Sequence, residues 1–144
     1  MKSSTIGPEI AENIRTEGIP TMKDIMVVDD EPAIGRLLKV ALESRGFRVH
    51  VETTAEKALT ILEQSSASVD LLITDVRMPG MDGLELAELA VAAKPRLPVM
   101  FISGHADASE LRKRMTARSC FVDKPFNVGV LAGRVREILA DNPC

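Results

Sequence analysis

Three short unbroken apolar runs constrain this 144-residue chain more than any other feature: Ile25-Met26-Val27-Val28, Leu71-Leu72-Ile73 and Val99-Met100-Phe101-Ile102. A strand with one face in water alternates apolar and polar residues. An unbroken run suits a strand buried on both faces, as in a parallel sheet covered by helices. Each run stops abruptly. Asp29-Asp30-Glu31-Pro32 follows the first, Asp75 and the turn signals Pro79-Gly80 and Asp82-Gly83 follow the second, and Ser103-Gly104 follows the third.

Stripes at helical spacing lie between the runs. Pro32 fits the first helical position, where no N–H is needed. Ile34, Leu37, Leu38, Ala41 and Leu42 form the apolar stripe of that helix, and Gly46 is its candidate C-terminal cap. Phe47, Val49 and Val51 alternate as a second strand over 47–51, and Thr53 or Thr54 can cap a helix striped by Ala55, Ala58, Leu59 and Leu62. A third helix is expected from Leu84 to Ala93, ended by Lys94-Pro95. A polar fourth helix over Ala106–Thr116 turns Leu111 and Met115 inward. A short fifth strand covers Cys120–Val122, and a last helix is striped by Val128, Leu131, Val135, Ile138 and Leu139. Five strands alternating with five helices predict an α/β doubly wound fold, a five-stranded parallel sheet with helices on two faces.

Residues 1–22, punctuated by Pro8, Gly18 and Pro20, read as an N-terminal extension with room for a short helix at Ile10 and Ile14. Residues 23–141 read as the domain and 142–144 as a tail. The apolar content of 45% argues against disorder, and no run is long enough to span a bilayer. With no signal-peptide-like segment at the start, a cytoplasmic location is expected. A net charge of −3 neither suggests nor excludes a nucleic-acid surface, although no strongly basic arm is present, and 3% aromatics without Trp or Tyr weaken any base-stacking role. The two cysteines lack metal-ligand spacing; Cys120 reads as a small buried hydrophobe and Cys144 as a terminal thiol.

Parallel strands bring their C-terminal ends to one edge, where ligands of open α/β sheets bind. On its own, Asp75 either starts a turn or presents a reactive carboxylate. The other strand ends decide between these readings, because they deliver Asp29 and Asp30, Ser103 and Lys124 to the same edge. Packed carboxylates repel unless a cation joins them, and a hard ion such as Mg²⁺ favours carboxylates together with phosphate oxygens. Lys124 offers a compact charge for a phosphoryl oxygen, and Ser103 offers a hydroxyl donor. Asp75 is then free to act as a nucleophile that forms an aspartyl phosphate.

The ordered set VVDDEP, LLITDVRMPGMDG, MFISGHA and FVDKPF resembles the receiver domain of bacterial two-component response regulators, over about Asp24 to Ala140. The resemblance implies a flavodoxin-like strand order, 2-1-3-4-5. It implies Asp75 as phosphoacceptor, with Asp29, Asp30, Asp75 and the backbone carbonyl of Arg77 around Mg²⁺ or Mn²⁺. Ser103 matches the hydroxyl that moves toward the phosphoryl group, with small Gly104 beside it, and Lys124, ahead of a cis Lys124-Pro125 bond, matches the phosphate-binding lysine. Phe121 matches the aromatic switch position that reshapes the surface of helix 4, strand 5 and helix 5.

The implied function is signalling and not turnover of an external substrate. A sensor histidine kinase or histidine phosphotransfer protein donates the phosphoryl group, and an unknown downstream protein reads the altered surface. No direct nucleic-acid or membrane contact is implied, and the helix 4 to helix 5 face is a candidate homodimer surface. The last expected helix ends near Ala140, so the expectation is a stand-alone receiver or an excised receiver of a larger regulator or hybrid kinase.

The chain departs from the family pattern at Ala117-Arg118, where Gly-Ala is frequent, and at Phe121, where Tyr is frequent. Arg77 and His105 flank the site at variable positions. Arg112, Lys113, Arg114 and Arg118 make the fourth helix basic, which is either a solvated face or a dock for an acidic partner. An aspartyl phosphatase would need an acid two residues after Asp75, where Arg77 stands. A flavin carrier would need a phosphate-cradling loop where the acids lie.

Overall fold

The structure is a computed structural model that describes residues 22–64, 66–104, 108–114 and 119–140. The expected extension before Met22, together with His105, Met115, Ala117, Arg118 and Cys144, lies outside the described residues. Five strands are present: β1 Asp24–Val28, β2 Arg48–Glu52, β3 Leu71–Asp75, β4 Val99–Ser103 and β5 Ser119–Asp123. They alternate with α1 Pro32–Glu43, α2 Ala55–Leu62, α3 Gly83–Ala93, α4 Ala108–Arg114 and α5 Val128–Leu139. Every pairing is parallel, and the order is β2-β1-β3-β4-β5, the expected doubly wound topology.

The apolar runs become the central strands because both their faces are covered. Met26, Val28, Leu72, Val99 and Phe101 pack under α2, α3 and α4. Ile25, Val27, Leu71, Ile73, Met100 and Ile102 pack under α1 and α5. Each fully buried Leu or Ile of these layers contributes about 1.5–3 kcal/mol. The edge strand β2 keeps only Val49 buried, which explains why this segment alternates. Lys39 covers part of that open edge, donating to the Val49 carbonyl at 2.9 Å.

Several local expectations are corrected. Leu37 is 46% exposed and does not belong to the buried stripe of α1. Gly35 takes that place instead, with Leu38 and Leu42. A Cβ on Gly35 would lie 2.7 Å from Val51 Cγ1, so the helix sits close on β2 along its glycine and turns Leu37 outward. The second strand begins at Arg48 and not at Phe47. Gly46 adopts φ +95°, its N–H donates to the Glu43 carbonyl at 3.1 Å, and the Phe47 N–H donates to the Leu42 carbonyl at 3.2 Å. Phe47 is therefore used in ending α1.

β4 and β5 extend to Ser103 and Asp123, which pair with each other. Cys120 is buried as expected, but its sulfur is disulfide-bonded and not an unpaired packing group. Side-chain caps fix where three helices start: Thr54 accepts from Lys57 N–H, Asp82 from Glu85 N–H and Asn127 from Val130 N–H. Among the described residues no helix is long and apolar enough to cross a membrane.

Candidate phosphoryl-transfer site

The C-terminal edge of the sheet collects the functional side chains. β1 and β3 are neighbours with Val28 opposite Thr74, so the residues that follow, Asp29 and Asp75, emerge side by side. Carboxylate oxygens of Asp29, Asp30 and Asp75 all lie within 4.8 Å of one another. Lys124, directly after β5, reaches back across β4. Its Nζ donates to Asp75 Oδ2 at 3.1 Å and lies 4.0 Å from Asp29 Oδ2. The Lys124 N–H donates to the Ser103 carbonyl at 2.8 Å, which ties the lysine backbone to the end of β4. The Lys124-Pro125 bond is cis.

Burial separates the roles of the acids. Asp29 is 1% exposed and Asp75 7%, whereas Asp30 faces solvent. Burial pushes the Asp29 carboxyl up to about 6; the charges of Asp75 and Asp30 add to this, while the Glu31 N–H and Lys124 oppose it. Burial also raises the Asp75 carboxyl above its ordinary value, against the hydrogen bond and charge of Lys124 and a backbone hydrogen bond from Arg77. Burial pulls Lys124 down, but its hydrogen bond to Asp75 and the charges of Asp75, Asp29 and Glu31 outweigh it, so the net shift is upward. Among the described residues, Asp29, Glu31 and Asp75 all lie within 4.0 Å of the single Lys124 ammonium, with Asp30 beside them.

One oxygen is left over. Asp29 Oδ1 accepts the Glu31 N–H at 2.8 Å, but buried Asp29 Oδ2 has no hydrogen-bond partner among the described residues. A desolvated carboxylate oxygen without a donor is costly unless a cation takes it. An all-oxygen donor set with a free carboxylate lone pair fits a hard divalent ion such as Mg²⁺ or Mn²⁺. Ser103 is in the same condition. Its Oγ is buried at the end of β4 and unpartnered among the described residues.

Phe121 lies two positions before the end of β5, partly buried against the α2–α3–α4 side of the core. The Arg134 Nη1 donates to its carbonyl at 3.2 Å. Arg77 is exposed on the loop after β3, and Gly104 directly follows Ser103.

Three contributors are absent from the sequence-level set. Glu31 Oε1 lies 3.9 Å from Lys124 Nζ, a signal present in the Asp-Asp-Glu run but readable there only as a helix start. Gly83 packs against the Asp75 backbone so closely that a Cβ would overlap the Asp75 carbonyl oxygen. Glu56, on α2, accepts the Met81 N–H at 3.1 Å, and nothing in a linear reading connects positions 25 residues apart.

Acids directly after β1 and at the end of β3, a hydroxyl at the end of β4 and a lysine directly after β5 thus meet at one edge of a sheet with this strand order. The family model for the response regulator receiver domain matches residues 25–136, and the chain belongs to that family. It is similar to the sensor kinase CckA of Brucella abortus, at 36% identity over 80% of this chain and 12% of that protein. It also resembles the KDP operon transcriptional regulatory protein KdpE of Escherichia coli, at 33% identity over 82% of this chain and 52% of that protein. The chain thus spans from about an eighth to about half the length of these curated relatives. Among solved structures, a response regulator receiver protein from Sinorhizobium medicae superimposes with a TM-score of 0.77 at 30% identity, covering 84% of this chain and 97% of that one. The receiver domain of the hybrid histidine kinase CckA matches with a TM-score of 0.70 at 36% identity, covering 81% and 98%.

Proposed function

We propose that this chain is a phosphorylation-dependent signalling receiver whose phosphoacceptor is Asp75. The observation that carries this reading is the 3.1 Å contact between Lys124 Nζ and Asp75 Oδ2 beside two further carboxylates. An Asp75 oxygen attacks the phosphorus of a phosphohistidine on a sensor histidine kinase or a histidine phosphotransfer protein. The O–P bond forms as the P–N bond breaks, and the imidazole leaves with the electron pair of that bond.

Lys124 shifts from the carboxylate to a phosphoryl oxygen as that oxygen arrives. Asp29, Asp30, Asp75 and the Arg77 carbonyl are the groups that would hold Mg²⁺ or Mn²⁺, which supplies charge neutralisation at the phosphoryl oxygens. Ser103, whose hydroxyl has no other partner among the described residues, donates to a further phosphoryl oxygen. Phe121, two register positions back on the adjacent strand, follows that movement and alters the α4–β5–α5 surface that a downstream protein reads. Hydrolysis resets the site: water attacks phosphorus, the Asp75 O–P bond breaks and inorganic phosphate leaves. The chain then acts in the cytoplasm through protein partners, with no external substrate turned over, and the α4–α5 face serves as a dimer surface.

The lengths of the curated relatives favour a second arrangement of the same chemistry, in which this domain is one module of a larger response regulator or hybrid histidine kinase.

Incubation with acetyl phosphate and Mg²⁺, followed by intact-mass measurement, tests the acceptor. The expected result is one phosphoryl adduct on wild type and none on Asp75→Asn. An unmodified wild type, or an equal adduct on the variant, overturns the assignment. Hydrogen exchange with and without beryllofluoride tests the switch: protection should change around Phe121 and α4, and unchanged exchange there removes the switch role.

A further inference from the structure

Glu56 sits at the second position of α2, in the first turn after the Thr54 cap, where a helix N-terminus favours negative charge. Its carboxylate leaves its own helix and accepts the Met81 N–H at 3.1 Å. Gly80 precedes that amide with φ +75°, and a Cβ there would come 2.8 Å from Glu56 Oε2. The backbone at 80–81 therefore closes directly over the carboxylate, and the left-handed glycine makes the approach possible. The Met81 hydrogen bond, and then the Glu56 backbone, hold this carboxyl below its ordinary value.

The loop that Glu56 grips is the one that follows Asp75. Its start is tied to β4 by Val76 N–H donating to the Ile102 carbonyl at 3.1 Å, and its end is closed by Gly83 N–H donating to the Val76 carbonyl at 2.8 Å. Between these ties lies Arg77, whose backbone hydrogen-bonds the Asp75 carboxylate. Met78 and Met81 pack into the core beside α2. A side chain from a different element that fixes one amide in this loop fixes the height of the loop over the acid cluster.

We propose that Glu56 is a positioning residue for the Asp75 site: by accepting the Met81 N–H it holds the Arg77 backbone at the carboxylate cluster and so sets the affinity of that cluster for a divalent cation. This rests on the phosphoryl-transfer reading above. The partners that orient a metal's ligands change metal affinity without touching the ion. Glu56 does the same from a helix that supplies no ligand. Because the interaction needs an acceptor and not a charge, Gln serves at position 56 and Ala does not.

The test compares wild type, Glu56→Ala, Glu56→Gln and, as a control on the exposed end of the same helix, Glu63→Gln. Three quantities are measured on the full chain: Mg²⁺ affinity by titration calorimetry, the rate of modification by acetyl phosphate across Mg²⁺ concentrations, and exchange of the Met81 amide. Glu56→Ala should weaken Mg²⁺ binding about tenfold, speed Met81 exchange and lose rate mainly at low Mg²⁺. Glu56→Gln and Glu63→Gln should stay within about twofold of wild type on the same scale.

An unchanged Mg²⁺ affinity in Glu56→Ala overturns the proposal, as does a Glu56→Gln variant as impaired as Glu56→Ala. A lower melting temperature with unchanged cation affinity assigns Glu56 a purely structural role and also overturns it. A wild type that neither binds Mg²⁺ nor takes a phosphoryl group removes the underlying reading and this one with it, so the two failures are distinguishable.

Discussion

Gly83 rests its α-carbon against the carbonyl oxygen of Asp75, leaving no room for a side chain at the first residue of α3. The acid is thus held from behind by a helix as well as by its strand. Thr74 Oγ1 reaches the same carbonyl at 2.9 Å and would itself lie 3.1 Å from a Cβ at 83.

Replacing this glycine is expected to strain the folded state and displace Asp75 together. Gly83→Ala should cost about 1–3 kcal/mol, the usual range for overpacking a filled core. Urea unfolding measures the loss as a lower midpoint at unchanged slope. The rate of phosphoryl adduct formation should fall as well, because the carbonyl that moves belongs to Asp75, the proposed acceptor.

Lys124→Met removes the ammonium on which Asp75, Asp29 and Glu31 converge. The adduct rate with acetyl phosphate should fall about a hundredfold, the order expected when a donor to a developing anion is lost. The Asp75 carboxyl should rise further, since its largest downward influence comes from this lysine. A carbonyl-carbon NMR titration of Asp75 reads that rise directly.

The pH dependence follows from Asp29, whose carboxyl stands at about 6 against an ordinary 3.8. Between these values the folded chain holds a proton that the unfolded chain has released. Without divalent cations, stability should therefore increase as pH falls from 7 through 6 and level off below 3.8, as far as this group is concerned. The gain is on the order of 1–3 kcal/mol, and Asp75, raised in the same direction, adds to it. Chemical denaturation across pH should show the rise in wild type and a flatter profile in Asp29→Asn. Mg²⁺ affinity should run the opposite way, weakening as pH drops below 6, because the proton and the cation compete for the same oxygen.

Ser103→Ala should separate stability from signalling. The Ser103 hydroxyl is buried without a partner among the described residues, and such a group costs about 1–3 kcal/mol of desolvation. Its removal should leave the unmodified domain equally stable or up to about 1 kcal/mol more stable. The same variant should lose the beryllofluoride-dependent change in exchange around Phe121.

The layered architecture is legible in the chain because the unbroken runs at Ile25, Leu71 and Val99 have only one economical home, between two helix layers. The acids and the lysine are legible because parallel strands place every strand end on one edge. Contacts made by close approach are not legible. Leu37 looks like core until Gly35 is found lying on Val51, and Phe47 looks like strand until its N–H is found ending α1. Glu56 and Met81 are brought together by α2 and α3 packing side by side over the sheet, which no local pattern encodes.

The register of β1 against β3, Val28 opposite Thr74, has one more consequence. The two buried acids sit one strand apart, so the lattice spacing of the sheet, about 4.8 Å, is the ruler that sets their separation. Lengthening or shortening the loops cannot open this pair. Only a slip of one strand past the other could, and a one-residue slip would also turn every side chain of the strand from one helix layer to the other. A mispaired sheet is then a molecule without its site, so any chain that has assembled its acids has already passed a proofreading step for its fold.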